Sequence, residues 1–182
     1  MSKLTFLYLA LILSINLFAD CNFEKNECPV KEEFNQFILK EFKGRLAAPM
    51  KDPVDGLKYL EIEEAVKYIG NDAYVFIDNR PADYVKDCSI KGAVNYLFGV
   101  PTTSDNTLTK EITKGLADKG KTLIFYCNSA KCYRSLNAAI QTYAWGIPKE
   151  KILWFGKGIA GIVQNTEFSK YLNGDRCSEY KK

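Results

Sequence analysis

Short apolar segments alternate with amphipathic segments between residues 57 and 172. Five apolar segments are predicted as strands, at 57–60, 74–78, 93–96, 122–127 and 152–155. Segments with helical spacing of apolar residues are predicted as helices at 61–69, 108–118, 134–145 and, for most of its length, 159–171. Strands that are apolar throughout are typical of a parallel sheet buried on both faces. The pattern therefore predicts an α/β domain with a central parallel sheet of about five strands and helices on both faces.

The residues before this domain divide into two parts. Lys3, the apolar run 4–18 and Ala19 have the pattern of a secretory signal, and we expect cleavage after Ala19. An uncleaved membrane anchor is the alternative, but the run is shorter than the ~20 apolar residues that normally cross a bilayer. Residues 20–56 are predicted as an extension with one helix and a linker, and 173–182 as a C-terminal tail. We therefore expect a periplasmic or otherwise exported protein without stable membrane insertion after cleavage.

Charge and composition exclude several classes of function. The formal net charge is +3 over 182 residues, so the chain has too weak an excess of positive charge to indicate nucleic-acid binding. The sequence contains no histidine, which excludes Cys–His dyads and histidine-based triads and disfavours the common zinc sites. We predict no metal site and no cofactor.

All six cysteines follow the predicted signal, at Cys21, Cys28, Cys88, Cys127, Cys132 and Cys177. An oxidising compartment permits disulfides, but the sequence does not select a pairing. We expect structural disulfides for Cys21, Cys28 and Cys177, whereas Cys88 fits either a disulfide or a buried thiol.

Cys127 is the first candidate nucleophile. It ends an apolar strand and precedes a polar loop and a helix that begins at Arg134. Backbone N–H groups at the start of a helix stabilise a thiolate. Ligands of parallel sheets bind beyond the carboxyl ends of the strands, where both Asp78 and Cys127 fall.

Several stretches, in this order, resemble a known family. They are Phe76-Ile-Asp78-Asn-Arg80-Pro-Ala-Asp-Tyr84, Ile90-Lys-Gly92-Ala93-Val-Asn95, Tyr126-Cys127 through Arg134-Ser135 to Ala138-Ala139, and the glycine turn Gly158-Ile-Ala-Gly161. With these motifs, residues 57–172 resemble the rhodanese (sulfurtransferase) domain.

The resemblance implies that Cys127 accepts a sulfur atom from thiosulfate or a related small anion and holds it as a persulfide. The acceptor would be cyanide or a thiol, including a protein thiol. Arg134 would orient the loop or bind the donor, while Asp78 and Arg80 would form a structural ion pair, and Tyr84 is expected in the core. Backbone amides of the loop would stabilise the charged sulfur. The residues expected around the substrate are Asn128, Ser129, Ala130, Lys131, Tyr133 and Ser135.

The loop departs from the usual family pattern. Arg134 lies seven positions after Cys127, further than in most members, and the longer loop contains Cys132. It resembles an exported subset with two loop cysteines, in which Cys132 could resolve a persulfide or form a redox-active disulfide with Cys127. Two alternatives to sulfur transfer therefore stay open, a thiol–disulfide redox protein and a non-catalytic binding module. Phosphatase activity is disfavoured because the loop is bulky and no general acid is evident.

Overall fold

The computed structural model describes residues 57–100 and 103–180. The predicted signal at 1–19, the extension at 20–56, and Cys21 and Cys28 lie outside the described residues. Within the described part of the chain, no helix combines the length and the apolar character needed to cross a membrane.

Seven strands and five α-helices follow one another along the described chain. In order they are β1 (Lys58–Tyr59), α1 (Ile62–Tyr68), β2 (Tyr74–Asp78), α2 (Ala82–Asp87), β3 (Ser89–Ile90), β4 (Val94–Asn95), α3 (Lys110–Asp118), β5 (Thr122–Tyr126), α4 (Arg134–Ala144), β6 (Ile152–Phe155), α5 (Gly158–Gln164) and β7 (Leu172–Asn173). Short 3₁₀ helices lie at Lys149–Lys151, Thr166–Tyr171 and Cys177–Tyr180.

The main sheet has five parallel strands in the order β1-β6-β5-β2-β4. This confirms the predicted fold class. The neighbouring strands β2 and β5 are in register over their whole length, and Asp78 at the end of β2 lies opposite Tyr126 at the end of β5. The segments that follow these two strands therefore leave the sheet side by side, at its carboxyl edge.

Alternate residues of the central strands pack into two separate hydrophobic clusters. On one face Leu123 and Phe125 pack with residues of α4 such as Leu136. On the other face Ile124 and Tyr126 pack with residues of α1 and α5, including Ala65, Ile159 and Ile162. Successive side chains of a strand point to opposite faces of the sheet, and helices cover both faces. Both sets are therefore buried, as the continuous apolar runs predict.

A second, two-stranded sheet was not predicted. It pairs β3 with β7 in antiparallel orientation, with Ile90 opposite Leu172. The segment predicted as a tail from residue 173 contributes Asn173 to this sheet and then forms a 3₁₀ helix. A disulfide joins Cys88 to Cys177, whose Cα atoms are 4.7 Å apart. The structural disulfide expected for Cys177 is thus confirmed. We call residues 172–180 the C-terminal strap.

Candidate functional site

Cys127 lies directly after β5 and is 1% exposed. Its position is held by the start of α5, where the amide of Ile159 donates to the carbonyl oxygen of Cys127 at 3.1 Å, and the amide of Ala160 donates to that of Asn128 at 2.8 Å. Gly158 has φ +54°, and a Cβ there would overlap the Cys127 carbonyl. Glycine is therefore required for α5 to approach Cys127 this closely.

The loop after Cys127 forms a compact turn closed by a disulfide. Cys127 and Cys132 are bonded, with Cα atoms 6.2 Å apart. Within the turn, the amide of Cys132 donates to the carbonyl of Ser129 at 2.9 Å, and the amide of Lys131 donates to the Ser129 hydroxyl at 3.4 Å. These two amides stabilise the loop itself in the oxidised state, instead of surrounding a charged sulfur.

The loop and the segment after β2 enclose a cleft of about 410 Å³. We call this space the cleft. It is lined by Arg80, Pro81, Tyr84, Cys127, Asn128, Ser129, Lys131, Cys132, Tyr133 and Arg134. Seven of the predicted loop residues therefore share one cavity. Ser135 lies instead in the interior, where its hydroxyl accepts a hydrogen bond from the Trp154 indole at 3.1 Å, and Ala130 is not among the lining residues.

Two loop cations lie at the cleft. Lys131 is exposed. Arg134 begins α4, and its guanidinium lies over the Tyr133 ring at 5.4 Å from the ring centroid. Among the described residues, neither Arg134 Nε nor Asn128 Oδ1 has a hydrogen-bond partner, although both atoms are buried. Buried polar atoms of this kind are costly unless a ligand or water supplies the missing bond.

Arg80 and Asp78 form the buried ion pair that the resemblance implied. Arg80 donates from Nε to Asp78 Oδ1 at 2.9 Å and from Nη2 to Oδ2 at 2.6 Å. Arg80 Nη2 also donates to the Cys88 carbonyl. Burial opposes the charge on Arg80, but the hydrogen bonds and the charge of Asp78 outweigh it and raise the pKa of Arg80. The pair connects the end of β2 to the start of β3.

Aromatic rings flank this ion pair. The Arg80 guanidinium lies 6.0 Å from the Tyr126 ring centroid and 5.5 Å from that of Tyr180. Burial, reinforced by the negative charge of Asp78, raises the pKa of Tyr126 well above its usual value. Tyr126 therefore stays neutral at physiological pH.

The C-terminal strap brings Tyr180 to this position. The Arg176 amide donates to the carbonyl of Asp87 at 3.1 Å, and its guanidinium pairs with the Asp87 carboxylate. Gly174 has φ +120°, and a Cβ there would overlap the Asp87 carbonyl. The strap is thus fixed to the end of α2 by backbone contact, an ion pair and the disulfide from Cys88 to Cys177.

Sequence reasoning missed two kinds of site residue. Tyr84 was expected in the core, but it is 51% exposed and lines the cleft together with Pro81, so that prediction was wrong. The sequence did contain a signal for both: Pro81 directly follows Arg80, and Tyr84 lies in the first turn of α2. Tyr180 carried no local signal, since it reaches Arg80 across a long stretch of chain. Among the described residues, no cluster of three or more His, Cys, Asp or Glu side chains is placed to hold a metal ion.

Comparisons with known proteins give a family match and similar solved structures. A family model described as the rhodanese-like domain matches residues 61–164. The chain is similar to the BH2092 protein from Bacillus halodurans, with 18% identity, a TM-score of 0.49, and coverage of 80% of this chain and 86% of that one. It is also similar to the As-Sb reductase from Leishmania major, with 18% identity, a TM-score of 0.45, and coverage of 62% and 76%. The search of curated proteins gave no match.

Proposed function

The chain belongs to the rhodanese-like domain family, and from this premise we propose that it is a sulfurtransferase that carries sulfur as a persulfide on Cys127. The donor is thiosulfate or a related small sulfur anion. The acceptor is a thiol, on a small molecule or a protein, or cyanide.

The observation that carries the proposal is the position of Cys127 in the cleft. Cys127 shares the cleft with two loop cations, Lys131 and Arg134, and its backbone carbonyl is fixed by α5. Positive charge near a cysteine favours the thiolate, which is the nucleophilic form, and attracts an anionic donor. The weak overall charge of the chain has no bearing on this local arrangement.

The reaction requires two displacements at sulfur. The Cys127 thiolate attacks the outer sulfur of thiosulfate, the S–S bond of the donor breaks, and sulfite leaves with the electron pair. The acceptor thiolate then attacks the outer sulfur of the Cys127 persulfide, which releases the Cys127 thiolate and an acceptor persulfide. No net oxidation or reduction of the protein occurs over the cycle.

The oxidised loop must be opened before this cycle begins. A dithiol reductant supplies two electrons and two protons, which convert the bond between Cys127 and Cys132 into two thiols. Cys132 lines the cleft and is less buried than Cys127, so we expect the reductant to attack the sulfur of Cys132.

A second candidate function is thiol–disulfide exchange by Cys127 and Cys132. The disulfide between them favours it. In that case the oxidised loop would accept electrons from a substrate dithiol, and Cys127 would not retain an added sulfur atom.

Intact-protein mass spectrometry distinguishes the candidates. The protein is mildly reduced, treated with thiosulfate and compared with Cys127→Ser and Cys132→Ser. Sulfur transfer predicts one added sulfur atom that disappears in Cys127→Ser and persists in Cys132→Ser. Disulfide re-formation without a sulfur adduct favours the redox function. If both serine variants bind a partner as the parent does and neither chemistry is seen, the domain is a binding module.

We also propose that the protein works in an oxidising compartment, as expected from the predicted signal. The two disulfides among the described residues support this location. Fractionation of the producing cells, followed by intact-mass measurement, tests it: cleavage after Ala19 is expected, and a reduced, full-length cytosolic protein would contradict it.

A further inference from the structure

One buried nitrogen of Arg80 is left over from the ion pair with Asp78. The donor contacts of Arg80 to Asp78 and to the Cys88 carbonyl use Nε and Nη2. The remaining nitrogen, Nη1, is buried and has no hydrogen-bond partner among the described residues. The Arg80 side chain is 2% exposed. Leaving a buried guanidinium nitrogen without a hydrogen bond is costly, so Nη1 should bind a negatively charged acceptor strongly.

We infer that the acceptor comes from the cleft, because Arg80 is one of the residues that line it. Arg80 lines the cleft together with Cys127, while Asp78 and Cys88 occupy its Nε and Nη2. The Tyr126 and Tyr180 rings flank the guanidinium with their π-faces, and Nη1 donates to neither tyrosine hydroxyl. Arg134 Nε is a second buried, unpartnered donor on the same cleft within the described chain. The cleft therefore contains two guanidinium donors that favour negative oxygen atoms.

We propose that Arg80 binds the oxyanion group of the sulfur donor through Nη1, so that it is a specificity-determining residue as well as half of an ion pair. The proposal rests on the proposed function of Cys127. It assigns the sulfonate-like end of the donor to Arg80 and Arg134, and the transferable sulfur to Cys127. Nη1 is buried in the oxidised structure, and the proposal assigns anion binding to the reduced form, in which Cys127 is free to react.

Two sulfur donors distinguish a binding role of Arg80 from a purely structural one. Thiosulfate presents an outer sulfur attached to a sulfonate group, whereas an alkyl hydropersulfide presents an outer sulfur without any oxyanion. Attack by the Cys127 thiolate on the hydropersulfide breaks its S–S bond and releases the alkyl thiolate, which leaves the same Cys127 persulfide. A residue that binds the oxyanion affects the first reaction and not the second.

The test uses Arg80→Lys in the full, reduced protein. Lysine keeps the positive charge opposite Asp78 but loses the guanidinium fork, and Nη1 with it. We expect kcat/KM for Cys127 persulfide formation from thiosulfate to fall about 10- to 100-fold, as for loss of a charged hydrogen bond. The rate with the alkyl hydropersulfide should change less than about threefold. Arg176→Lys, an exposed arginine on the strap, is the matched control and should leave both rates unchanged.

A second variant keeps the proposal testable if Arg80→Lys does not fold. The double variant Asp78→Asn with Arg80→Gln replaces the ion pair by two amides, and it should show the same selective loss. Inorganic sulfate, which cannot transfer sulfur, should compete with thiosulfate in the parent and compete more weakly in either variant, where only Arg134 remains to bind it. Equal losses with both donors, or no loss with either, would overturn the proposal while leaving sulfur transfer intact. Failure of the parent to load sulfur from both donors would instead overturn the proposed function.

Discussion

The two disulfides of the described chain differ in almost every property except their chemistry. Cys88 and Cys177 are separated by 89 residues and join the strap to the main domain, whereas Cys127 and Cys132 are separated by 5 and join two ends of one loop. In the chain-entropy model, loops of these lengths correspond to about 4.6 and about 2 kcal/mol of stabilisation. The comparison indicates that the long-range bond contributes mainly to stability, and that the local bond mainly sets the redox state of the proposed nucleophile, Cys127.

The largest effect is expected when the bond between Cys127 and Cys132 is broken by replacing Cys127. Cys127→Ser should lower persulfide formation by at least about 1,000-fold, because the nucleophile is lost. The free energy of unfolding should fall by no more than about 2 kcal/mol, because the loop that the bond closes is short. Denaturant unfolding and mass spectrometry of the same sample measure both. Cys132→Ser is the control for the disulfide, and loading that survives in Cys127→Ser would reject this division of roles.

The long-range bond is broken by replacing Cys88 and Cys177 together with alanine. We expect the free energy of unfolding to fall by about 3–5 kcal/mol and the Tm by roughly 10 °C, because the unfolded chain regains the freedom of the longer loop. Loading of Cys127 by an alkyl hydropersulfide should persist. Unfolding experiments without reductant measure the first effect, and a loss below about 1 kcal/mol would contradict the assignment.

The loop has a support besides its disulfide, and Gly158→Ala tests it. Alanine at this position combines a positive φ with overlap of the Cys127 carbonyl, so we expect about 3 kcal/mol of lost stability and slower persulfide formation. Gly120→Ala is the matched control, since Gly120 has φ +80° and an added Cβ there would meet no atom within 4 Å. It should cost about 1 kcal/mol and leave persulfide formation unchanged. Equal costs for the two variants would show that α5 does not hold the nucleophile.

The smallest effect concerns Tyr126, which lies between the two disulfide regions. Its folded-state pKa is raised above the ordinary 10.0, mainly by burial. The corresponding stability is therefore fully present below pH 10 and is lost as the pH rises towards the folded pKa. Tyr126→Phe should make the alkaline fall in unfolding free energy shallower, at a cost near neutral pH of about 1 kcal/mol for the lost hydroxyl contacts. Urea unfolding between about pH 7 and pH 11 tests this, and identical alkaline slopes would contradict it.

The sequence predicted the main sheet well because its strands are locally distinctive. The predicted strands at 74–78 and 152–155 match β2 and β6 residue for residue. By contrast, α2 has no buried residue, so it shows no apolar stripe that periodicity could detect. The strands β3 and β7 have two residues each and pair across the chain, and such pairing leaves no local pattern.

The candidate site shows the same division between residues that are close in sequence and residues that meet only in the fold. The loop from Cys127 to Arg134 is continuous in sequence, so its residues could be grouped from their order along the chain alone. The contact of Tyr180 with Arg80 depends on the strap, and the strap depends on the pairing of Cys88 with Cys177. Cysteine pairing, like the pairing of β3 with β7, was not determined by spacing along the sequence.

The order of the cysteines along the chain constrains how the protein can be made. Cys177 follows every strand of the main sheet, whereas Cys88 precedes both loop cysteines. During synthesis Cys127 and Cys132 can therefore pair while Cys88 still lacks its partner. Oxidation that runs ahead of synthesis exposes Cys88 to wrong partners, and a bond from Cys88 to Cys127 would block the proposed nucleophile as well as release the strap. Correct biogenesis thus requires either that oxidation wait for the strap or that an isomerase exchange the early bonds.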